Sequence, residues 1–577
     1  MLQVNPTTPS DVSRPTEASK AKATGKDKAN LAMDTLWKNV LEEEYTFRTN
    51  EEDLPKNYEE AIEGDEGGKW KAAMDEEIET LGKMGTWRLE DLLGDRKPVG
   101  CKWVYLRKRD EHSQITKYKA RLVAQGFCQK PGTDYSNDGT FAPVMRFETL
   151  HSLLVFSAVH NLKLRQFDVK GAYLHGQLNE TIYMCQPPGY DDGSGQSCLL
   201  IQSLYGLKQA GNVWNQELNR VLAEIKFIQL KTNYCCYIRR KGDDFTILLV
   251  WVDDFISIST TDEQNDMTKR DLQRHFNVKS LGQPNLLLGM KISQSNHIIT
   301  LSQTHYINAL LKKFGLTNAN PVSTFMDANV KLDYVAKGQE DEGQGEIDEK
   351  ITHGYATLIG LLMYLALGTR PDIAFAVNKL TQFTQSPKPT HWTAVKRVFH
   401  YLKYTHSNKL TYGGDNDVSN ADFNIFCDAD WASDASDHKS ISGYVITMAG
   451  GAVSWSSKKQ TSVALSTAEA EYIAATHVAK QVLWQRSLFM ELDFDIPTTS
   501  TIFTDNQVAI SISHHPEFHS RMKHIDITDH FLCDLIAEGT LNTIYVNMCE
   551  NLADLFTKGL PRELHEDLTY RIGSLSG

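Results

Sequence analysis

The stretch Phe245 to Thr260, FTILLVWVDDFISIST, constrains the fold more than any other part of the chain. An apolar, β-branched run (Ile247, Leu248, Leu249, Val250, Trp251, Val252) meets Asp253 and Asp254, and a second apolar run (Phe255, Ile256, Ile258) follows. The pattern predicts a β-hairpin with two adjacent carboxylates at its tip. Carboxylates flanked by buried strands are costly unless paired, hydrogen-bonded or metal-bound. A surface turn, where Asp is common, is the plain alternative. The chemical reading is one half of a two-cation site that needs another acid from elsewhere. Asp168 in LRQFDVKGAYLHG is the candidate.

With 577 residues the chain should hold several domains, since single cores rarely grow past about 250–300 residues. A formal net charge of -13 argues against coating nucleic acid by bulk charge; any polyanion site must be a local basic groove. The nine cysteines form no CxxC pair, which points to reduced thiols in an intracellular protein. The N-terminus has no apolar h-region, and no apolar stretch approaches the roughly 18 residues of a membrane span, so no membrane partner is expected.

Residues 1 to 60 are rich in Ser, Thr, Pro, Lys and Glu and read as a disordered lead-in. Trp70, Met74, Ile78 and Leu81 then recur on one helical face, a packing helix. Residues 97 to 130 reverse the sign of the chain, and their alternation suggests a two-stranded ribbon with a cationic face centred on Lys102, Arg107, Lys108, Lys119 and Arg121. A solvated face is the plain reading of such a ribbon; phosphate binding is the functional one. A helix over 141 to 162 leads to a strand ending in Asp168, with Tyr173 five residues on, beside Gly171 and Ala172. A glycine-centred turn (Tyr205, Gly206) runs into an amphipathic helix through Trp214, Leu218 and Leu222. The acidic run Asp333 to Glu349 reads as an exposed linker, followed by a helical connecting segment. The last 155 or so residues read as a separate α/β domain, with a long helix from Thr467 to about Leu492 and a closing helix ENLADLFTKGL.

Taken in order, KWVYLRKRD, YKARLVAQGF, FDVKGAYLHG, SLYGLKQAG, WVDD, GTRPDI, CDADWASD, SGYV, STAEAEYIA, TDNQ and ENLADLFTKGL form a specific set. The first part resembles the reverse transcriptase of copia-type long-terminal-repeat retrotransposons, and the last part looks like its tethered ribonuclease H. The resemblance implies an α+β, α/β multidomain chain: a right-hand polymerase of fingers, palm and thumb over 61–325, a linker and connection over 326–420, and a ribonuclease H-like α/β domain over 421–577. It implies that Asp168, Asp253 and Asp254 hold two Mg²⁺ ions, or Mn²⁺, for nucleotidyl transfer. It implies that Tyr173 screens out 2′-hydroxyls, that Tyr205 and Gly206 line the nucleotide and template, and that Lys108 and Arg121 contact the triphosphate. The family's usual tyrosine before VDD is Trp251 here, which fills the same space without the phenol hydrogen bond.

For the ribonuclease part, the resemblance implies two further Mg²⁺ ions held by Asp428 on the first strand, Glu471 on the long helix, Asp505 after a later strand and Asp554 on the final helix. Asp430 competes with Asp428, and Glu469 with Glu471. Ser466 and Glu469 form a capping box, which occupies Glu469; Glu471 lies two residues on, about 200° around the helix, free to face the strands. The implied activity is RNA-directed DNA polymerase with ribonuclease H. The implied partners are an RNA template, a DNA primer, their hybrid and deoxynucleoside triphosphates, with integrase and capsid of the same element as further partners. Replication in cytoplasmic virus-like particles with a nuclear phase is the implied setting. No DSG or DTG protease signature, zinc-binding integrase head or CCHC knuckle is visible, so the chain reads as the C-terminal enzyme part of a polyprotein, or a truncated or standalone copy. A remnant that only binds nucleic acid is the competing class.

Overall fold

The computed structural model describes residues 54–94, 96–109, 114–326, 332, 349–413, 423–434, 436–514 and 530–575. Most of the expected lead-in and nearly all of the acidic run from Asp333 lie outside the described residues. Among the described residues, no helix is long and apolar enough to cross a membrane.

Helices Tyr58–Glu63 and Gly67–Lys83 lead into β1 (Trp87–Glu90) and then the ribbon β2 (Cys101–Arg109) and β3 (Ile115–Ala124). Trp70, Met74 and Leu81 are buried and Ile78 packs beside them, so the expected helical stripe is present. Alternation along a strand sends successive side chains to opposite faces. Pairing sets Trp103 against Leu122, Tyr105 against Ala120 and Arg107 against Tyr118, and this face meets Trp70 edge-on through Tyr105 and Tyr118. The opposite face carries Lys102, Lys119 and Arg121. Arg107, expected on the cationic face, therefore lies on the other one. Its guanidinium is taken by Glu66 at 2.6 Å.

Helix Phe147–Val159 precedes β4 (Lys163–Val169), and β5 (Tyr183–Met184) and β6 (Ser197–Leu200) join β1 in the order β1-β6-β5. Helix Ala210–Glu224 follows, then β7 (Ile228–Gln229), β8 (Cys236–Lys241), β9 (Asp244–Trp251), β10 (Asp254–Ser259), helix Asp262–Gln273 and β11 (Val278–Gly282). These strands make a six-stranded sheet in the order β11-β4-β10-β9-β8-β7. One face, with Phe167, Val169, Leu248, Val250 and Phe255, is sealed by Trp214, Leu218, Val221 and Leu222 of one helix and Leu272 of the other. By parity, Asp168, Trp251 and Asp254 project to the opposite face.

Strands β12 (Leu286–Leu287), β13 (Met290–Ser295) and β14 (Ile298–Ser302) precede helix Thr304–Lys313. Helices Glu349–Gly368, Ala374–Thr381 and Pro389–Tyr404 then lead to β15 (Lys409–Tyr412). Between the first two helices, Arg370 and Asp372 are fully buried and paired at 2.7 Å, and the Tyr401 hydroxyl donates to the same carboxylate at 2.7 Å.

The C-terminal part contains β16 (Asn424–Asp430), β17 (Ile441–Met448), β18 (Gly451–Lys459), the long helix Thr467–Glu491 and β19 (Ser500–Thr504). Helices Gln507–His514 and His530–Ala537, β20 (Leu541–Tyr545), helix Arg562–Arg571 and β21 (Ser574–Leu575) complete it. Its sheet runs β18-β17-β16-β19-β20, with β16, β19 and β20 parallel and β17 and β18 antiparallel. Strand β21 pairs with β15 in a separate sheet, β12-β13-β14-β15-β21. The far end of the long helix rests on the first half of the chain. There Trp484 Nε1 donates to Thr232 O at 3.2 Å, Gln485 Nε2 to Ser152 Oγ at 3.0 Å, and Glu491 accepts from the Lys231 amide at 2.8 Å.

Candidate active sites

The hairpin expected from the sequence is β9–β10, with Trp251 and Asp254 paired and Val252 and Asp253 between them. Asp254 also stands opposite Asp168 of β4, so the register alone brings these two acids face to face. The Val169 amide donates to Asp253 O at 2.8 Å, tying the turn to β4. Asp254 Oδ1 accepts from Gln166 Nε2 at 3.3 Å. Burial pushes the Asp253 carboxyl up; Arg121 opposes this and the Asp168 charge adds to it. Arg121 Nη2 lies 3.9 Å from Asp253 Oδ2.

The cationic ribbon reaches this turn through glycine. Gly206 has φ +90°, and a Cβ there would sit 2.1 Å from Ala124 O. This close approach lets the Ala124 amide donate to Tyr205 O at 2.8 Å. Arg121 then lies over the Tyr205 ring at 4.5 Å, and Tyr205 meets Tyr173 edge-on at 4.9 Å. Tyr173 sits on the short 3₁₀ turn Ala172–His175, which starts after Gly171 at φ +64°. Arg121, Tyr173, the Tyr205–Gly206 turn and Asp253 come from separate segments and converge at one turn. Lys108 pairs with Lys117 along the ribbon; its side chain lies outside the described residues. Trp251 packs against Phe147 with ring centroids 6.3 Å apart.

The second group of acids gathers at the C-terminal ends of the parallel strands β16 and β19, where open α/β sheets place their ligands. Ligand atoms of Asp428, Glu471 and Asp505 all lie within 4.8 Å of one another. Ser466 Oγ accepts from the Glu469 amide at 3.2 Å and the Glu469 carboxylate accepts from the Leu465 amide at 2.8 Å, so Glu469 is spent on the helix start. Asp554 arrives differently from expectation: it lies on a 3₁₀ turn, Leu552–Phe556, ahead of the final α-helix. Asn551 caps that turn through the Ala553 amide at 3.1 Å and donates to Cys427 O at 3.0 Å. Gly443, opposite Asp428 in register, leaves room for it, since a Cβ there would meet Phe556 Cβ at 2.8 Å.

Burial, then the charges of Asp428 and Asp505, push Glu471 well above the usual carboxylate range. Burial and Asp428 raise Asp505, and raise Asp554 to about 7. Asp430 is likewise raised by burial and Asp428. Sequence reasoning missed Lys558, one helical turn past Asp554, whose Nζ lies 3.1 Å from Asp554 and 3.7 Å from Asp428. Burial alone would lower Lys558, but the surrounding acids outweigh it and hold it at about 12. The Thr557 hydroxyl donates to Asp428. Glu471 Oε2 is buried without a hydrogen-bond partner. Hard oxygen donors, mutual repulsion and an unmatched buried acceptor together fit a divalent cation such as Mg²⁺ or Mn²⁺.

Residues 84–328, which hold the carboxylate-tipped hairpin and the cationic ribbon, match the family model described as reverse transcriptase (RNA-dependent DNA polymerase). The chain is 37% identical over 517 residues to the retrovirus-related Pol polyprotein from transposon TNT 1-94 of Nicotiana tabacum, covering 89% of this chain and 38% of that one. It is 30% identical to a transposon Ty5-1 protein of Saccharomyces cerevisiae over 55% of this chain and 100% of the other. The chain belongs to the copia-type, retrovirus-related Pol polyproteins of transposons. It spans about a third of the length of the first plant relatives it matches. A foamy viral protease–reverse transcriptase solved with double-stranded DNA aligns at TM-score 0.42 and 10% identity, over 83% of this chain and 70% of that one.

Proposed function

We propose that this chain is an RNA-directed DNA polymerase with a ribonuclease H, copying retrotransposon RNA into DNA and degrading the RNA of the hybrid. One observation carries the polymerase reading: Asp168, Arg121, Tyr173 and Tyr205 come from different elements to the β9–β10 turn that bears Asp253 and Asp254. In this reading the six-stranded sheet is the palm, the β2–β3 ribbon belongs to the fingers, β12 to helix Thr304–Lys313 lies in the thumb region, and residues 421–577 form the nuclease domain. Two divalent cations per site would supply Lewis-acid activation of the attacking oxygen and neutralise the leaving group. Asp168, Asp253 and Asp254 would hold them in the palm, and Asp428, Glu471, Asp505 and Asp554 in the nuclease.

The chain's own groups do the rest. Arg121, held over Tyr205, presents its guanidinium to the triphosphate. Tyr173 offers a ring edge-locked by Tyr205 against the sugar, where a 2′-hydroxyl would collide. Lys558 balances the nuclease acids until substrate and cations arrive. The partners are an RNA template, a DNA primer, the hybrid and deoxynucleoside triphosphates, and the setting is the cytoplasmic particle of the element.

Purified protein with an RNA template, annealed DNA primer, Mg²⁺ and deoxynucleotides should extend the primer, and Asp253→Asn should not. Asp428→Asn should lose hybrid cleavage and keep extension. Hybrid binding without either activity would sink this reading in favour of a binding remnant.

A further inference from the structure

Trp214 is 3% exposed in the second turn of helix Ala210–Glu224, where helical periodicity accounts for it as core. Its ring packs against Phe276 at 5.1 Å and His175 at 6.1 Å. A buried indole also carries one N–H that needs an acceptor. That N–H leaves the core and donates to Val252 O at 2.8 Å, at the tip of the carboxylate hairpin.

The recipient is an unusual turn. Val252 has φ +56° and Asp253 is not among the residues with positive φ. Positive φ at the first central residue alone defines a type II′ turn, whose first position is ordinarily glycine. A β-branched residue there is a backbone outlier, and such strain persists only where surrounding structure over-determines it. The Val252 carbonyl belongs to the central peptide of the turn. Rotating that peptide by half a turn gives type I′, which carries the second central residue into positive φ as well. Here the second central residue is Asp253. The peptide's orientation therefore sets the backbone angle at which Asp253 is held, and Trp214 grips that peptide.

We propose that Trp214 is a positioning residue for the polymerase reaction: its indole N–H fixes the central peptide of the Val252–Asp253 turn and thereby aims the Asp253 carboxylate at the cation site shared with Asp168. The inference rests on the palm reading given above. Val169 holds the far side of the same turn through Asp253 O, so the two bonds grip successive carbonyls.

The test uses the full chain with Asp428→Asn, so that Mn²⁺ titration followed by the electron paramagnetic resonance of free ion reports the palm. Trp214→Phe and Trp214→benzothienylalanine both delete the N–H, the second with no change of shape. Losing one hydrogen bond should weaken Asp253-dependent Mn²⁺ binding on the order of three- to tenfold. The Mg²⁺ concentration for half-maximal primer extension should rise by the same factor, and hybrid cleavage by the chain with Asp428 restored should not change. Unchanged Mn²⁺ affinity with the benzothienyl side chain overturns the proposal, as does an equal loss of extension and cleavage at unchanged affinity. Should Trp214→Phe fail to fold, the benzothienyl variant decides alone. Should the unmodified chain bind Mn²⁺ through Asp253 yet never extend a primer, the functional reading fails while the shift in affinity still judges Trp214.

Discussion

Gly206→Ala perturbs the seam between the cationic ribbon and the carboxylate turn without touching a charged group. A Cβ at this position lies 2.1 Å from Ala124 O and 2.7 Å from Val123 Cγ1, whereas ordinary contact begins near 3.4 Å. One obstacle is backbone, so β3 and the Tyr205–Gly206 turn must separate by roughly 1 Å. A left-handed conformation adds about 1–2 kcal/mol for a residue with a Cβ, and overpacking about 1–3 kcal/mol. The chain can relieve this only by lengthening the 2.8 Å bond from the Ala124 amide to Tyr205 O. Tyr205 then slides from under Arg121, whose guanidinium rests 4.5 Å above its ring. Misplacement on the order of 1 Å can cost about a hundredfold in rate, so kcat/KM for deoxynucleotide should fall roughly ten- to a hundredfold, mostly in KM. Hybrid cleavage should persist, which separates this effect from unfolding. Steady-state primer extension with nucleotide varied, beside a hybrid-cleavage assay, gives the answer. A kcat/KM within a factor of two of the parent, with an unchanged urea midpoint, would refute the account of the seam.

Three other outcomes are expected. Arg370→Met strands the buried Asp372 and should destabilise the chain by about 3–5 kcal/mol, while adding Asp372→Leu should recover most of the loss in urea melts; no recovery would mean the pair does more than satisfy itself. Lys558→Met removes the counter-ion of the cluster of Asp428, Glu471, Asp505 and Asp554, so the melting temperature in EDTA should drop and the gain on adding Mg²⁺ should increase; a smaller Mg²⁺ gain would contradict the placement of Lys558. Burial pulls His151 down to about 4, with Nδ1 2.7 Å from the Tyr412 hydroxyl. The unfolded imidazole titrates near 6.5, so below that pH the unfolded chain takes up the proton first, and stability should fall between about pH 6.5 and 4 by at most about 3 kcal/mol. His151→Gln should flatten that part of the urea-midpoint profile, and an unaltered slope would remove His151 from the explanation.

The hairpin was legible because two apolar runs of strand length meet at adjacent acids, and the helix around Trp70 because its apolar spacing admits one face. The choice of Glu471 over Glu469 also followed from local chemistry, since a capping acid cannot face elsewhere. What the sequence concealed was pairing. Charge density alone puts Arg107 on the cationic face, yet it shares parity with Trp103 and Tyr105 and not with Lys102, so alternation sends it to the other side. The 3₁₀ turn bearing Asp554 looks helical in ENLADLFTKGL; Asn551 reaching Cys427 and the opening over Gly443 override that propensity. The i+4 spacing of Lys558 from Asp554 is a local signal in the sequence that the pair lies together. Strand β15 and strand β21 are far apart in sequence, and nothing local in either announces the other.

The helix Thr467–Glu491 has a mechanical consequence. Glu471 stands at its start among the acids, and Glu491 and Trp484 are fastened to the loop at Lys231 and Thr232. Twenty residues of α-helix between Glu471 and Glu491 amount to roughly 30 Å. A strut of that length does not stretch, so it acts as a gauge between the two halves of the chain. Under the proposed function, a hybrid lying along both would be scored at a constant number of steps behind its growing end, with the offset set by helical rise and unaffected by how fast either half works.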